Sequence, residues 1–516
     1  MIGAGHNGLV CAFFLARAGI EVTLMERRAV VGGACVTEEF APGFRNSTAS
    51  YTVSLLAPEI IRAMRLHDHG LDIVLRPEAN FLPTEDGRFL LAGTRTAAEF
   101  AKFSASDAEA LPRYSAALEE VAELLRRLAR EIPPNGATGL RDLVGAALSA
   151  RHARHLDAAG RRFLHDLLTR PAGDLLRARF ESPPVQALFG FDSIVGTWAS
   201  PETPGTAYVL LHHVFGEVNG RKGAWGHAIG GMGAISAAMA RAAAQAGADI
   251  RLEQPVARVN VTGGRATGVT LEDGRSHDAD LVVANVGPRL LFDRLMDRAD
   301  VPPWVRHRMA LYRTGSASFR MNVALAGLPR FTACPDPGPH LASGIILAPS
   351  LEWMDRAFHE SRLSGWSRRP VVEMLIPSML DPTLAPQGQH VASLFAQHFA
   401  PHLPDGRPWA EARDAAANAI LDVVEAFAPG FRKLIVGQLA LSPADLEDRF
   451  GLVDGDIFHG QMGLDQLWAA RPFLGAGDYR LPLPGLFLCG SGAHPGGGVS
   501  GLPGWNAARA ILRTRS

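Results

Sequence analysis

Three glycines near the start of the chain have the spacing of a dinucleotide-binding turn. Gly3, Gly5 and Gly8 form the pattern G-x-G-x-x-G, an apolar segment runs from there to Gly19, and Glu26 lies 21 residues after Gly5. In such a turn the glycines let the backbone approach a pyrophosphate, the helix N-terminus attracts its charge, and the acid binds the adenosine ribose. The segment therefore predicts a βαβ unit that binds a dinucleotide whose ribose is not phosphorylated.

The glycine pattern needs this context because glycine is common in the chain. With 54 glycines, chance alone gives about 0.6 matches to the pattern. A second match at residues 496–501 has no room for a following acid, so we expect no separate NAD(P) site. The pair Gly32 and Gly33, which follows Arg27 and Arg28, strengthens the first match because its N–H groups can reach the same pyrophosphate.

The first strand of this unit is very short. Only Met1 and Ile2 precede Gly3, whereas a Rossmann strand usually supplies about five residues. Either the natural start lies upstream or the sheet tolerates an abbreviated strand.

Pattern and spacing also predict the elements that must position these residues. Apolar residues at helical spacing predict a helical insertion over residues 98–179, broken at residues 133–136, and a second helix of small residues over 234–246. Residues 250–274 alternate as in an antiparallel meander, and 281–285 as in a buried strand. Residues 486–488 predict a last strand, followed by a glycine-rich turn and a helix from about 506 to 513.

Five ordered motifs in the chain resemble those of the phytoene desaturase-like FAD-dependent oxidoreductases, and most closely the pyridine nucleotide-disulphide oxidoreductase domain-containing protein 2 subgroup. They are Gly-Ala-Gly-His-Asn-Gly-Leu at 3–9, Glu-Arg-Arg-x-x-x-Gly-Gly-Ala at 26–34, Ile-Gly-Gly-Met-Gly-Ala at 229–234, Leu-Asp-Pro-Thr-Leu-Ala-Pro at 380–386 and Cys-Gly-Ser-Gly-Ala-His-Pro-Gly-Gly-Gly-Val at 489–499.

The resemblance implies an α/β fold. It implies a glutathione-reductase-type, Rossmann-like FAD domain built from the discontinuous segments 1–95, 223–300 and 481–516. It also implies a mixed-sheet, amine-oxidase-like substrate domain from 96–222 and 301–480, which includes the helical insertion.

The resemblance also implies a cofactor site for FAD. By motif, the diphosphate would be surrounded by glycines and the ribose held by Glu26, with Arg27 beside it. The backbone of Val256 would meet the adenine, and Ser491 would replace the aspartate that many related flavoproteins have at the ribityl chain. The full set is Gly3, Gly5, Gly8, Glu26, Arg27, Gly32, Gly33, Val256, Gly490, Ser491, Gly498 and Val499, of which the last two would lie under the isoalloxazine.

Side-chain catalysts are few. His494, inside the last motif, is the best catalytic candidate, with a structural histidine as the alternative. Lys222 would be the lysine of an amine oxidase, with an exposed surface lysine as the alternative, and His212 and His213 are interpreted as packing residues.

Three functions stay open at this point. The first is an FAD-dependent dehydrogenase or desaturase that passes a hydride from an apolar or amphipathic substrate to the flavin, which oxygen, a quinone or another acceptor reoxidises. The second is a flavin amine oxidase, and the third is a noncatalytic, FAD-stabilised scaffold for a partner protein.

Composition argues against several further classes of partner and site. The 51 basic and 52 acidic side chains give a net charge of −1, which disfavours a nucleic-acid partner. The four cysteines lack C-x-x-C spacing, which disfavours a redox dithiol or zinc centre, and we predict no metal site. No apolar stretch reaches the roughly 20 residues of a membrane span. We expect a cytoplasmic protein, with peripheral contact with a membrane as the alternative.

Overall fold

The computed structural model describes residues 1–135 and 151–514. Its strands are β1 Thr23–Met25, β2 Thr37–Ala41, β3 Phe44–Ser47, β4 Ile73–Leu75, β5 Asn80–Pro83, β6 Phe89–Ala92, β7 Glu217–Val218, β8 Arg221–Lys222, β9 Gly226–Ala228, β10 Asp249–Arg251, β11 Val256–Thr262, β12 Arg265–Leu271, β13 Ser276–Asp278, β14 Val282–Ala284, β15 Ser318–Leu325, β16 Gly344–Leu347, β17 Trp366–Leu375, β18 His390–Phe399, β19 Ile435–Leu441 and β20 Leu486–Leu488.

The α-helices span His6–Arg17, Pro58–Ala63, Thr96–Ala101, Ala105–Ala129, Ala158–Thr169, Ala172–Arg177, Pro183–Asp192, Thr206–Val214, Gly233–Gln245, Pro288–Arg294, Pro303–Leu311, Leu351–Ser364, Trp409–Phe427, Phe431–Leu434, Pro443–Phe450 and Leu502–Arg513.

A parallel sheet carries the start of the chain. β1 pairs with β10, β14 pairs with β20, and Ile2 bridges both Met25 and Ala284, so that it joins the two pairs into one sheet. The Ile2 N–H donates to the Val283 carbonyl at 2.9 Å, and the Gly3 N–H donates to the Met25 carbonyl at 2.7 Å. The sheet therefore accommodates the abbreviated first strand at its centre.

The first helix packs against this sheet through the apolar residues that the sequence places before Gly19. It begins after Gly5, and Gly19 has a φ of +82°, a conformation that glycine adopts without strain. The last helix crosses it closely, because a Cβ on Gly504 would lie 2.0 Å from the Asn7 carbonyl oxygen. The two ends of the chain thus meet at the sheet.

The predicted meander is confirmed for β11 and β12, which pair in antiparallel order and continue into β13. The segment expected as its first strand instead forms β10, which pairs in parallel with β1. The predicted helix of small residues is observed at Gly233–Gln245, and the last helix begins earlier than expected, at Leu502.

Within the described residues, the largest sheet has seven strands in the order β19-β15-β18-β17-β16-β5-β6. The pairing of β16 with β5 is parallel and the other pairings are antiparallel, so the predicted mixed sheet is confirmed. Because β5 and β6 belong to this sheet, the boundary expected at residue 95 is wrong and residues 80–92 lie with the second sheet. The other domain boundaries stay predictions.

Both faces of the large sheet are covered. Phe395 and Val371 pack with the helical region, whereas their neighbours Leu394 and Val372 pack with the opposite core and the helix Trp409–Phe427, as the two-residue period of a strand requires. The predicted insertion over 98–179 is helical at Thr96–Ala101, Ala105–Ala129, Ala158–Thr169 and Ala172–Arg177, and its residues 136–150 lie outside the described part.

Across residues 1–135 and 151–514, no helix combines the length and the apolar character that crossing a membrane requires.

Candidate functional site

One cavity of about 560 Å³ connects the glycine turn with the large sheet. At one end it is lined by Gly5, Glu26 and Gly33, and at the other end by Tyr51, Glu373 and Phe395. A cavity of this size holds a ligand of cofactor or substrate dimensions, so its two ends are described in turn.

The glycine end is held by short backbone contacts. Glu26 is 5% exposed, and its two carboxylate oxygens accept the N–H groups of Ala4 at 2.8 Å and Arg28 at 3.0 Å. The Gly32 N–H donates to the Ala4 carbonyl at 2.8 Å. The acid therefore fixes the turn and keeps lone pairs for ribose hydroxyls.

Asn285 explains why two of the glycines are needed. It follows β14, and its Nδ2 donates to the Gly3 carbonyl at 3.1 Å. A Cβ on Gly5 would lie 2.8 Å from Nδ2, and one on Gly8 would lie 2.4 Å from the Gly3 carbonyl oxygen. Sequence reasoning missed Asn285, although its place at the carboxyl end of a parallel strand was a signal, because ligands bind there.

Buried polar atoms around this end lack partners among the described residues. They are the His6 Nε2, Asn7 Oδ1, Arg28 Nη1 and Ser54 Oγ atoms, and all four residues line the cavity. Leaving a buried polar atom unpaired costs about 1–3 kcal/mol, so these atoms fit a polar ligand such as a dinucleotide. The glycine cradle and this donor set together fit FAD.

The final motif forms the adjacent wall. Ser491 is buried, and its Oγ accepts a hydrogen bond from the Asn7 Nδ2 at 3.2 Å. The Ser491 carbonyl accepts two from the fully buried Arg471, which sequence reasoning missed. Gly498 and Val499 have φ values of +110° and +57°. A β-branched residue seldom adopts the second, and such strain concentrates at ligand sites.

Most of the predicted cofactor residues meet at the cavity. Gly8 and Gly490 instead lie behind the surface, packed against Asn285. Arg27 is held by the Asp448 carbonyl at 2.9 Å, whereas Arg28 carries the unpartnered nitrogen and pairs with Glu38 at 2.6 Å. The predicted residues that line the cavity are Gly3, Gly5, Glu26, Arg27, Gly32, Gly33, Val256, Ser491, Gly498 and Val499.

His494, the predicted catalytic candidate, is not among the described residues that line the cavity, which favours its alternative interpretation as a structural histidine. Its Nε2 lies 3.0 Å from the Leu128 carbonyl oxygen, its ring contacts Trp468, and its carbonyl accepts the Tyr479 hydroxyl at 2.7 Å. Burial lowers its pKa to about 4. His494 thus joins the last motif to the helix Ala105–Ala129 as a structural histidine.

Lys222 lies on the surface. Its Nζ pairs with Glu119 at 2.9 Å and Glu123 at 3.3 Å, and half of its side chain is exposed. Among the described residues that line the cavity there is no lysine. The surface interpretation of Lys222 therefore holds.

His212 lines the cavity beside the last motif, and His6, His213 and His459 line it as well. His212 is 3% exposed, its Nδ1 has no partner in the described part of the chain, and burial is the main cause that holds its pKa well below 6.5. A Cβ on Gly498 would lie 3.4 Å from its Cε1. The imidazole is therefore uncharged beside the last motif, and its apolar neighbours in the sequence gave no sign that it lines the cavity.

Asp381 ties two of the sequence motifs together. Its carboxylate accepts the Gly230 N–H at 2.6 Å, lies 3.1 Å from the His227 Nε2, and accepts the Thr383 N–H at 3.0 Å and hydroxyl at 2.6 Å. Burial raises the pKa of this acid, but the hydrogen bonds outweigh burial and lower it to about 2. The motif at 380–386 thus anchors the one at 229–234.

The parallel sheet with its glycine cradle, joined to a mixed sheet that closes the same cavity, defines an FAD-dependent oxidoreductase. The model of the flavin-containing amine oxidoreductase family matches residues 8–319. The chain belongs to that family.

Curated relatives match along almost the whole chain. Pyridine nucleotide-disulfide oxidoreductase domain-containing protein 2 of Mus musculus is 42% identical over 545 residues, which cover 99% of this chain and 93% of the relative. A lycopene-forming phytoene desaturase of Pseudescherichia vulneris is 26% identical over 525 residues, covering 99% of this chain and 98% of the relative. The resemblance to phytoene desaturase-like oxidoreductases is confirmed.

Solved structures have the same fold. The crystal structure of an oxidoreductase from Methanosarcina mazei matches with a TM-score of 0.62 at 16% identity and covers 99% of both chains. The α/β fold predicted for the chain is confirmed.

Proposed function

We propose that this enzyme dehydrogenates or desaturates an apolar or amphipathic substrate. The observation that carries the proposal is the apolar part of the cavity wall, to which Leu55 contributes beside Gly498. It is formed mainly by apolar side chains, which favour a hydrocarbon. They are Leu55, Phe191, Val195, Phe395, Ile457 and Phe458.

FAD, when bound, supplies a hydride acceptor at its N5. We place its diphosphate at Gly3, Gly5, Gly32 and Gly33, with Arg28 as an additional donor, and its ribose at Glu26. The isoalloxazine would contact Gly498 and Val499.

His212 would complete the oxidation. Formation of a carbon–carbon double bond removes a hydride from one carbon and a proton from its neighbour, so a group in the cavity must accept the proton. The imidazole of His212 is uncharged, and its Nδ1 is unpartnered within the described residues. We propose this nitrogen as the acceptor, from which the proton passes to solvent after turnover.

The test is anaerobic stopped-flow reduction of the bound flavin, with phytoene in detergent micelles and benzylamine as the two probes. Reduction by phytoene, with a product two hydrogens lighter, supports the proposal. Reduction by benzylamine alone would show the amine-oxidase alternative. Flavin that neither probe nor a wider panel of hydrocarbons and alcohols reduces would favour the scaffold.

The acceptor that reoxidises the flavin can be identified in the same experiment. Mixing the reduced enzyme with oxygen or with a soluble quinone distinguishes the two, since only the physiological type of acceptor should reoxidise the flavin at a rate matching turnover.

A further inference from the structure

We propose that the end of the cavity away from the glycine turn binds an uncharged oxygen-bearing head group of the substrate, an alcohol or a carbonyl. The subsite consists of Tyr51, Asn80, Asp192 and Glu373. The inference rests on the proposed function, because it narrows the amphipathic substrate to a class.

Four separate parts of the chain meet at this subsite. Asn80 begins β5, Asp192 ends the helix Pro183–Asp192, Glu373 lies in β17, and Tyr51 precedes the second helix. All four residues line the cavity. The Tyr51 hydroxyl donates to the Glu373 Oε2 at 2.5 Å, and the Tyr51 ring stacks on Phe395 with centroids 5.0 Å apart. The polar groups are thus held at the edge of the apolar wall.

Two guanidinium groups lie behind this surface and do not line the cavity. Arg320 is 1% exposed, lies 4.5 Å from the centre of the Tyr51 ring, and donates to the Ser393 hydroxyl at 2.7 Å. The Arg76 Nη2 donates to the Thr52 hydroxyl at 2.5 Å. Burial raises the pKa of Glu373, and the charges of Arg76 and Arg320 oppose that rise. The two guanidinium groups therefore offset the negative charge of the Glu373 carboxylate from the side away from the cavity.

Asp192 differs from the other three because its carboxyl group has no hydrogen-bond or ion-pair partner among the described residues. Burial, and then the charge of Glu373, raise its pKa to about 8. The raised pKa favours the protonated carboxylic acid, whose O–H can donate and whose carbonyl oxygen can accept. A hydrogen-bonding ligand would satisfy both atoms.

The charges select among head groups. Glu373 beside Asp192 disfavours a carboxylate, and the two guanidinium groups disfavour an ammonium group. A purely apolar end would leave the acid without a hydrogen-bond partner, which disfavours its binding. A hydroxyl or a carbonyl group carries no charge, so neither Glu373 nor the guanidinium groups repel it. It can also form a hydrogen bond with the Asp192 acid.

The test measures binding of four probes of equal chain length to the FAD-loaded enzyme at pH 7. The probes are 1-octanol, octylamine, octanoate and n-octane, and the signal is the perturbation of the flavin absorbance on titration. We expect 1-octanol to bind at least about 10-fold more tightly than each of the others, since one satisfied buried group is worth about 1.4 kcal/mol.

Variants assign the preference to the subsite. Asp192→Leu should abolish the preference for 1-octanol over n-octane, Tyr51→Phe should reduce it, and Asp192→Asn should retain most of it because the amide still donates and accepts. Asp414→Leu, at a carboxylate whose side chain is 94% exposed, is the matched control and should leave it unchanged. If Asp192→Leu fails to retain FAD, the other two variants still test the inference. A reduced preference in Tyr51→Phe and a retained preference in Asp192→Asn would support it.

Equal binding of 1-octanol and n-octane, tighter binding of octylamine or octanoate, or a preference that survives Asp192→Leu would overturn the inference. These results concern binding alone. A substrate that reduces the flavin with loss of two hydrogens would still support the proposed function, so the two failures are distinguishable.

Discussion

The two ends of the cavity are built from different kinds of atoms. At the glycine end, backbone N–H and carbonyl groups at Ala4, Arg28 and Gly32 define the shape, and side chains mostly hold that backbone in place. At the far end the surface consists of side chains such as Tyr51 and Glu373, brought together by the second sheet. The glycine end therefore depends mainly on short motifs, whereas the far end depends on residues that are distant from one another in the sequence.

The strongest test of this contrast is Gly5→Val at the backbone-built end. A Cβ there would lie 2.8 Å from the Asn285 Nδ2, so the larger valine side chain should displace the turn that we propose cradles the pyrophosphate. We expect FAD affinity to fall by more than about 1,000-fold, or about 4 kcal/mol. The absorbance of flavin retained after gel filtration measures this loss.

Gly327→Ala is its control, because the added Cβ meets nothing closer than 3.9 Å and the variant should stay yellow. A folded Gly5→Val protein that keeps stoichiometric FAD would refute the assignment of the cradle.

A side chain at the meeting point of the two ends should affect the rate rather than FAD binding. Replacing His212 by Leu removes the proposed proton acceptor, so flavin reduction should slow by about 100-fold or more while FAD content stays unchanged. Stopped-flow absorbance with a reducing substrate measures the rate. His165→Leu, at a histidine whose side chain is 71% exposed, should react like the unmodified enzyme. A His212→Leu rate within a few-fold of that value would remove His212 from the mechanism.

Asp381 links the motif at 380–386 to the motif at 229–234. Its loss should therefore lower the stability of the fold. Asp381→Asn replaces an acceptor of several hydrogen bonds, and we expect the free energy of unfolding to fall by about 2 kcal/mol at pH 7. The pKa of Asp381 is lowered from 3.8 to about 2 in the folded state. Its ionic contribution is therefore complete above pH 4 and disappears as the pH falls towards 2.

Denaturant unfolding of both proteins at pH 7 and at lower pH measures this difference. A difference that grows as the pH falls would contradict the assigned role of the Asp381 carboxylate.

His494→Ala tests whether the histidine of the last motif is structural. We expect a loss of about 1 kcal/mol from the contact with the Leu128 carbonyl and a decrease in flavin reduction of less than about 100-fold. Thermal unfolding and stopped-flow absorbance separate the two effects. A much larger loss of rate at full FAD content would restore His494 as a catalyst.

Lys222→Met should have the smallest effect, because the lysine is ion-paired on the surface. Flavin reduction should change by no more than about two-fold, compared in the same stopped-flow assay. A loss beyond about 1,000-fold would favour the amine-oxidase alternative.

The predicted cofactor residues nearest the start of the chain depend on spacing within one short segment, whereas Val256, Ser491, Gly498 and Val499 were expected from the resemblance alone. Gly3, Gly5 and Glu26 are separated by a single helix and strand, so the geometry of one βαβ unit determines where they lie. The same reasoning predicted the meander and the helix of small residues, whose periods are local.

Only the tertiary structure decided the rest. The strands at 80–92 join a sheet whose other members all lie between residues 318 and 441, and no local pattern reports such pairing. His212 and His494 are both histidines in apolar surroundings, yet one lines the cavity and the other bonds a helix carbonyl. The chain's local order determined the cofactor and the fold class. Long-range packing decided which side chains line the cavity, because burial and charge depend on elements that are distant in sequence.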